Sequence, residues 1–438
     1  MLRTAVRNSF GAALRVFFRR IEVVGAERVP ATGPVIFVLN HPNALIDPAF
    51  LLCLAPRPVS FLAKAPLFQT PVLGWIVRAF DSIPIHRKQD EGGAVDNRDT
   101  FKLARELLQR GQTVAIFPEG TSHSEPHLKP LKTGAARIAL GTGLADLKIV
   151  PTGLYYVNKA KFRSDALVVY GEPFGVEAAV GEPGAEPAAA AVQALTGRIE
   201  RALGEVLLQA DQAEALALVE RVSRIFAATS EAPWSLAEGF ELRRRVAAGY
   251  SRLREADPVA VAAVRARVER YEQDLAALGM SPEHYGPADF TVMGSVRYAL
   301  RSAGSLLLLL PLALLGTALH LPIYLVIDAI AGRIARDEMD MPATIKLLAA
   351  MLLYPLAWIT IGVVAGVLWG GAWGVLAGLL APISAAAALL FRERFATVGA
   401  AARGLLLFVT RRNTLARLHG DRMAIRAAIV ELARRVEG

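Results

Sequence analysis

An α/β domain, followed by a helical region and C-terminal hydrophobic membrane helices, is the architecture this sequence predicts. Three observations carry it. Short β-branched runs alternate with helical patterns from Ile21 to about Phe174. A stretch rich in Ala, Gly, Pro and Glu, Val176 to Ala191, then breaks the pattern. Beyond it lie three almost uncharged stretches, each long enough for the ~20 helical residues that a bilayer core requires.

The totals agree. A chain of 438 residues with 53% hydrophobic residues is too long for one small domain and too apolar for an ordinary soluble enzyme. The net charge of +9 and pI near 9.8 suit nucleic acid, anionic lipid or a phosphorylated substrate. No aromatic-interleaved basic patch is present, which favours lipid and phosphate over nucleic acid. The single cysteine, Cys53, excludes intramolecular disulfides and cysteine-based zinc clusters. The seven histidines include no His-Glu-x-x-His pair, so no metal is expected.

In chain order, residues 1–20 read as a basic amphipathic helix, with arginines beside apolar residues at helical spacing. It suits either an anionic lipid surface or a core-packing helix with a solvated basic face. Its apolar run is interrupted by charge, so a signal peptide is not expected. Residues 21–175 form the α/β domain. Its strands are expected at Ile21–Val24, Val35–Leu39, Val59–Leu62, Ile83–Ile85, Thr113–Phe117, Ile149–Tyr155 and Leu167–Tyr170. Helices are expected after Asp47, through 71–80, over 97–110 and over 134–140. A linker at 176–192 leads to a helical connector at 193–295, in which Asp257-Pro258 supplies an N-cap and first-turn proline. The membrane region, 296–395, holds two or three hydrophobic segments, the first interrupted by Pro311 and Pro322 and ending near Asp328. Residues 396–438 read as a basic amphipathic tail suited to the membrane surface.

The chemistry centres on Asn40 to Pro48. The run Val35 to Leu39 ends in Asn40-His41-Pro42, the strand end at which α/β sheets place their ligands. Asp47, at the start of a helix, can turn back to His41, fix its tautomer and leave the other ring nitrogen to take a proton from a hydroxyl. The alternative is a structural loop histidine with Asp47 as a helix cap. A second turn, Phe117-Pro118-Glu119-Gly120-Thr121-Ser122, projects polar groups from another strand end. Lys64, Arg87, Lys88, Lys129 and Lys132 follow other strand ends, as a phosphorylated ligand would need. His86, His123 and His127 either line the same cleft or are loop histidines that are solvated or bonded to backbone.

Four ordered blocks, Asn40-His41…Asp47, Ile83-Pro84-Ile85-His86-Arg87, Phe117 to Thr121 and Ile149-Val150-Pro151, resemble those of the glycerolipid acyltransferase superfamily. His-Pro-Asn…Ile-Asp-Pro, Ser122-His123 and Leu131-Lys132-Thr133-Gly134 are similar to the fungal-type branch that acylates glycerol-3-phosphate or dihydroxyacetone phosphate, and to its bacterial relatives. The chain departs from the commonest pattern in having five residues, not four, between His41 and Asp47. Asp81 replaces the usual glycine of the second block, and Ser122 an arginine often found after the third. The resemblance implies an acyltransferase-type αβ sandwich and a membrane-bound O-acyltransferase whose catalytic domain faces the cytoplasm. In it, His41 and Asp47 would be catalytic. Lys64, Arg87, Glu119, Gly120, Thr121, Ser122 and Pro151 would bind substrate. The implied donor is acyl-CoA or an acyl carrier protein thioester, with no other cofactor. The implied acceptor is glycerol-3-phosphate, dihydroxyacetone phosphate or, alternatively, lysophosphatidate. A non-catalytic scaffold or transporter is the remote alternative.

Overall fold

The computed structural model describes residues 2–80, 82–86, 97–176, 186–210, 212–229, 234–280, 292–335 and 341–437. The chain forms two compact units, Met1–Gln209 with Ala335–Leu347, and Ala210–Ile334 with Leu348–Gly438.

The first unit is built on a mixed sheet of eight strands: β1 (Phe18–Val24), β2 (Val35–Leu39), β3 (Ser60–Lys64), β4 (Ile83–Ile85), β5 (Thr113–Ile116), β6 (Lys148–Tyr156), β7 (Ser164–Tyr170) and the two-residue β8 (Phe174–Gly175). Their order is β1-β7-β6-β2-β5-β3-β4, with β8 also on β6. Only the β6–β7 and β6–β8 pairings are antiparallel among those described. The seven strands read from sequence are all present. β1 begins earlier than its apolar pattern does, because Arg19 makes a two-pronged bond to Asp165 on β7, 3.1 and 2.8 Å, that holds the polar end in the ladder.

β2 is the central strand and every residue in it is fully buried. Alternate side chains serve opposite faces. Ile36 and Val38 enter a cluster with α4 (Arg98–Gln109), α5 (Gly134–Leu140) and α6 (Ala189–Val206), while Phe37 packs on Tyr170. α1 (Leu2–Phe17) buries Val6, Phe10, Leu14 and Phe17 along one face, in contact with α2 (Ile46–Leu54) and α3 (Pro71–Ala79). Of the two readings open for residues 1–20, core packing is the one observed.

Two expectations are corrected. α6 was expected to begin a connector, yet Val192, Leu195, Ile199, Leu203 and Val206 pack into the sheet domain. Gly153 of β6 permits this, since a Cβ there would overlap the Val206 carbonyl. The second correction concerns the tail. In the other unit, α7 (Ala213–Ala227), α8 (Leu236–Ala256) and α9 (Pro258–Ala277) are joined by α13 (Arg412–Glu437). Leu415, Leu418 and Ile425 of α13 are buried among Leu218, Val222, Ile225, Val264, Val268 and Leu275. This apolar face of α13 is thus covered by protein. The expected Asp257 cap is present, accepting from the Ala260 N–H at 2.9 Å.

Between these lie α10 (Val292–Ile334), α11 (Pro342–Trp369) and α12 (Gly371–Thr410). Within them Ala303–Ile334, Pro342–Trp369 and Gly371–Ala396 are long and apolar enough to cross a membrane. They expose leucines freely, among them Leu308 and Leu352, as a lipid-facing surface does. α10 runs through Pro311 and Pro322 as one helix, without the break those prolines led us to expect. The Trp358 Nε1–H donates to His320 Nε2 at 2.9 Å, tying α11 to α10.

Candidate active site

β2, β3, β4, β5 and β6 all run parallel, so their C-terminal ends share one edge of the sheet. That geometry gathers sequence blocks lying far apart in the chain. Asn40 extends the edge: its side-chain amide donates to the Leu154 carbonyl at 3.0 Å and accepts from the Leu154 N–H at 2.8 Å, continuing the β2–β6 ladder by one step.

His41 Nδ1–H donates to Asp47 Oδ2 at 2.8 Å, so the five intervening residues do not prevent the pairing. They are accommodated by Ala44, which adopts a positive φ of 34°. Asp47 is completely buried and fully engaged. It also accepts from the Asn43 N–H at 2.7 Å on Oδ2 and from the Tyr156 hydroxyl at 2.7 Å on Oδ1. Burial, the Asp47 charge and this bond together raise the Tyr156 pKa well above its ordinary value, keeping the hydroxyl a donor. With Nδ1 committed, Nε2 of the partly exposed His41 is the nitrogen open to chemistry. The ring is held flat by Phe117, stacked on it at 4.0 Å, and Phe61 stacks behind at 5.9 Å.

Glu119 fastens the second loop to the first. Its Oε1 accepts from the His41 N–H at 3.1 Å, and its Oε2 takes the Lys129 N–H at 3.0 Å and His123 Nε2. The His123 N–H in turn donates to the His41 carbonyl at 3.0 Å. Gly120 makes the turn with φ of 74°, a conformation that favours glycine. Lys159 bridges both loops, donating to the Pro42 carbonyl at 2.7 Å and to Ser124 Oγ at 2.6 Å. A solvent-open cleft lies against His41. Asn40, Glu119, His123 and His127 form its polar side; Leu128, Leu154, Leu207 and Leu208 form an apolar one.

Two family models match the chain. One, described as Acyltransferase, covers residues 20–155; the other, described as Glycerol-3-phosphate acyltransferase 2 C-terminal domain, covers residues 218–437, half of the sequence. The chain belongs to the glycerolipid acyltransferase family. Glycerol-3-phosphate O-acyltransferase 2 of Saccharomyces cerevisiae is 29% identical over 283 residues, 61% of this chain and 38% of its own. Glycerol-3-phosphate O-acyltransferase 1 of the same yeast is 26% identical, over 78% of this chain and 58% of its own. A chloroplastic 1-acyl-sn-glycerol-3-phosphate acyltransferase of Arabidopsis thaliana is 32% identical over 145 residues, 31% of this chain and 39% of its own. The chain thus spans less than two thirds of these relatives.

In this chain the structure brings His41, Asp47 and Glu119 together. Glu119, expected to touch substrate, borders the cleft but is 3% exposed with both oxygens engaged, so its geometry is that of a loop fastener. Pro151 is buried inside β6, paired with Val38 of β2. Thr121 and Ser122 are half-buried in the turn, and Lys64 is exposed at the end of β3. Arg87, with Asp81 and Lys88, lies outside the described residues. The chain leading to it is held by Asn97, whose amide bonds the His86 N–H and carbonyl at 3.0 and 2.9 Å. Cys53, read as core, has its thiol pKa pushed up to about 11, chiefly by burial, and so is a poor nucleophile.

Sequence reading missed Tyr156 and Lys159, and gave Thr344, noted only within a stretch similar to the fungal-type branch, no role. Tyr156 closes an apolar strand and passes for a core residue; only its place at the end of the strand that carries the fourth block marks it.

Proposed function

We propose that this chain transfers a fatty acyl group from an acyl thioester to a hydroxyl of a phosphorylated glycerol backbone. The observation that carries the reading is the His41–Asp47 pair, with one ring nitrogen fixed by a buried carboxylate and the other open at an amphipathic cleft. As the acceptor oxygen attacks the thioester carbonyl, its proton passes to Nε2 of His41, and the imidazolium is stabilised by Asp47. The tetrahedral intermediate collapses with loss of the thiolate, which takes the proton back and leaves as the thiol of coenzyme A or acyl carrier protein. Transfer is direct, with no acyl-enzyme. The leucine-lined side of the cleft suits an acyl chain, and Arg87, with Lys64, supplies positive charge for the acceptor phosphate. The named activities of the yeast relatives support glycerol-3-phosphate as acceptor, with dihydroxyacetone phosphate the second small acceptor that the sequence resemblance implies; the matches to 1-acyl-sn-glycerol-3-phosphate acyltransferases, which cover a smaller share of this chain, favour lysophosphatidate.

The reading includes a membrane arrangement with the catalytic domain on the cytoplasmic face. No apolar span lies between the sheet and α10 among the described residues, and the first residues of α11, up to Leu347, belong to the catalytic unit. α10 thus ends on the catalytic side, where α11 begins, and α11 and α12 cross and return. Charge supports this: Arg333, Lys346, Arg392 and Arg394 flank the catalytic-side ends, and the α11–α12 turn, Trp369 to Trp373, carries no lysine or arginine.

The test is acyl transfer by solubilised protein from labelled acyl-CoA, then acyl carrier protein, to the three acceptors. Transfer to the small acceptors, abolished in a folded His41→Ala variant, is expected. No transfer to any acceptor with either donor, or full activity of His41→Ala, would refute the reading.

A further inference from the structure

We infer that Thr344, some three hundred residues from the catalytic loop in sequence, is a positioning residue for that loop, an inference that rests on the function proposed above. Residues 341–347 fold as part of the catalytic unit. Ala343, Thr344 and Leu347 are buried to 1, 6 and 3% exposure, so the start of α11 is packed, not draped.

The contact falls where the loop needs it. Ala44, with φ of 34°, is in a region that non-glycine residues rarely occupy, and such a conformation persists only where its surroundings impose it. Three bonds do so on either side of Ala44. The Asn43 N–H reaches Asp47, and the Asn43 amide reaches the Lys159 carbonyl at 3.3 Å. On the far side, the Leu45 N–H donates to Thr344 Oγ1 at 3.2 Å. Leu45 is the residue before α2 and no side chain of the loop caps that helix, so an orphan donor at its start is satisfied from α11. Asp47 lies two residues further on. Loss of the hydroxyl releases the segment that carries the His41 partner, while the acceptor and thioester subsites stay as they were. A displacement of about 1 Å at a catalytic group is worth up to about a hundredfold in rate.

The test compares Thr344→Val, which keeps the shape and removes the acceptor, with Thr344→Ser, which keeps the acceptor. In Thr344→Val, kcat is expected to fall about ten- to a hundredfold with KM for both substrates unchanged. Thr344→Ser should restore kcat. Deuterium exchange over residues 41–52 reads the same contact without turnover: faster in Thr344→Val, unchanged in Thr344→Ser. Wild-type kcat and exchange in Thr344→Val would overturn the inference, as would a Thr344→Ser variant as impaired as Thr344→Val. A wild-type protein with no transfer activity would instead sink the proposed function, and the exchange comparison would still decide the loop contact.

Discussion

Replacing Glu119 separates a residue that holds loops from one that holds substrate. Its carboxylate is 3% exposed and accepts from two backbone N–H groups, of His41 and Lys129, as well as bonding His123. Glu119→Gln keeps the volume and one acceptor oxygen but turns an NH₂ towards a donor. One buried N–H loses its partner, at a cost of about 2 kcal/mol. For a unit of roughly 200 residues that is a fall in Tm of about 4 to 8 °C. Glu119→Ala strands both donors and should cost about twice as much. Because the His41 N–H is one of the two, kcat should fall with stability while KM for the phosphorylated acceptor stays fixed. Thermal unfolding and steady-state kinetics on the same solubilised samples measure both. A Glu119→Gln variant with unchanged Tm and a raised acceptor KM would refute the reasoning and return Glu119 to the substrate site.

Tyr156→Phe removes one donor from Asp47 and leaves the His41 and Asn43 bonds; kcat should drop about tenfold, the equivalent of one hydrogen bond to a charged group, with KM unchanged. Burial raises the pKa of Tyr156 and Tyr170, so both stay neutral in the folded protein where unfolded tyrosines ionise, near pH 10. The stability they confer is complete below that pH and is lost as pH rises above it. Chemical denaturation at pH 9 and 11 should show a loss that Tyr156→Phe lessens. Burial of Cys53 should slow its alkylation by iodoacetamide at pH 8 about a hundredfold relative to a small thiol, with acceleration only as pH approaches 11.

The strands were legible because each is an apolar run cut off by proline, glycine or asparagine, and a buried strand needs little else. His41 and Asp47 were legible because they lie six positions apart in one loop. The extra residue between them cast doubt on a contact that Ala44 restores by its backbone conformation, which the letter Ala does not announce. Thr344 was not legible: it opens an apolar helix, and nothing local to it refers to residue 45. The fate of amphipathic helices was equally hidden. α1, α6 and α13 each carry an apolar stripe, and periodicity says that a stripe is covered without saying by what.

The packing of α13 against α7 and α9 sets a timetable for synthesis. The apolar side chains of Leu218 and Val222 leave the ribosome about two hundred residues ahead of Leu415 and Leu418, an interval of roughly 10 to 40 s at ordinary elongation rates. All three apolar helices are made within that interval. The newborn connector must therefore wait with a bare hydrophobic flank until the last helix arrives, and a chain stopped before residue 412 never closes it. Premature termination there is a folding defect before it is a catalytic one.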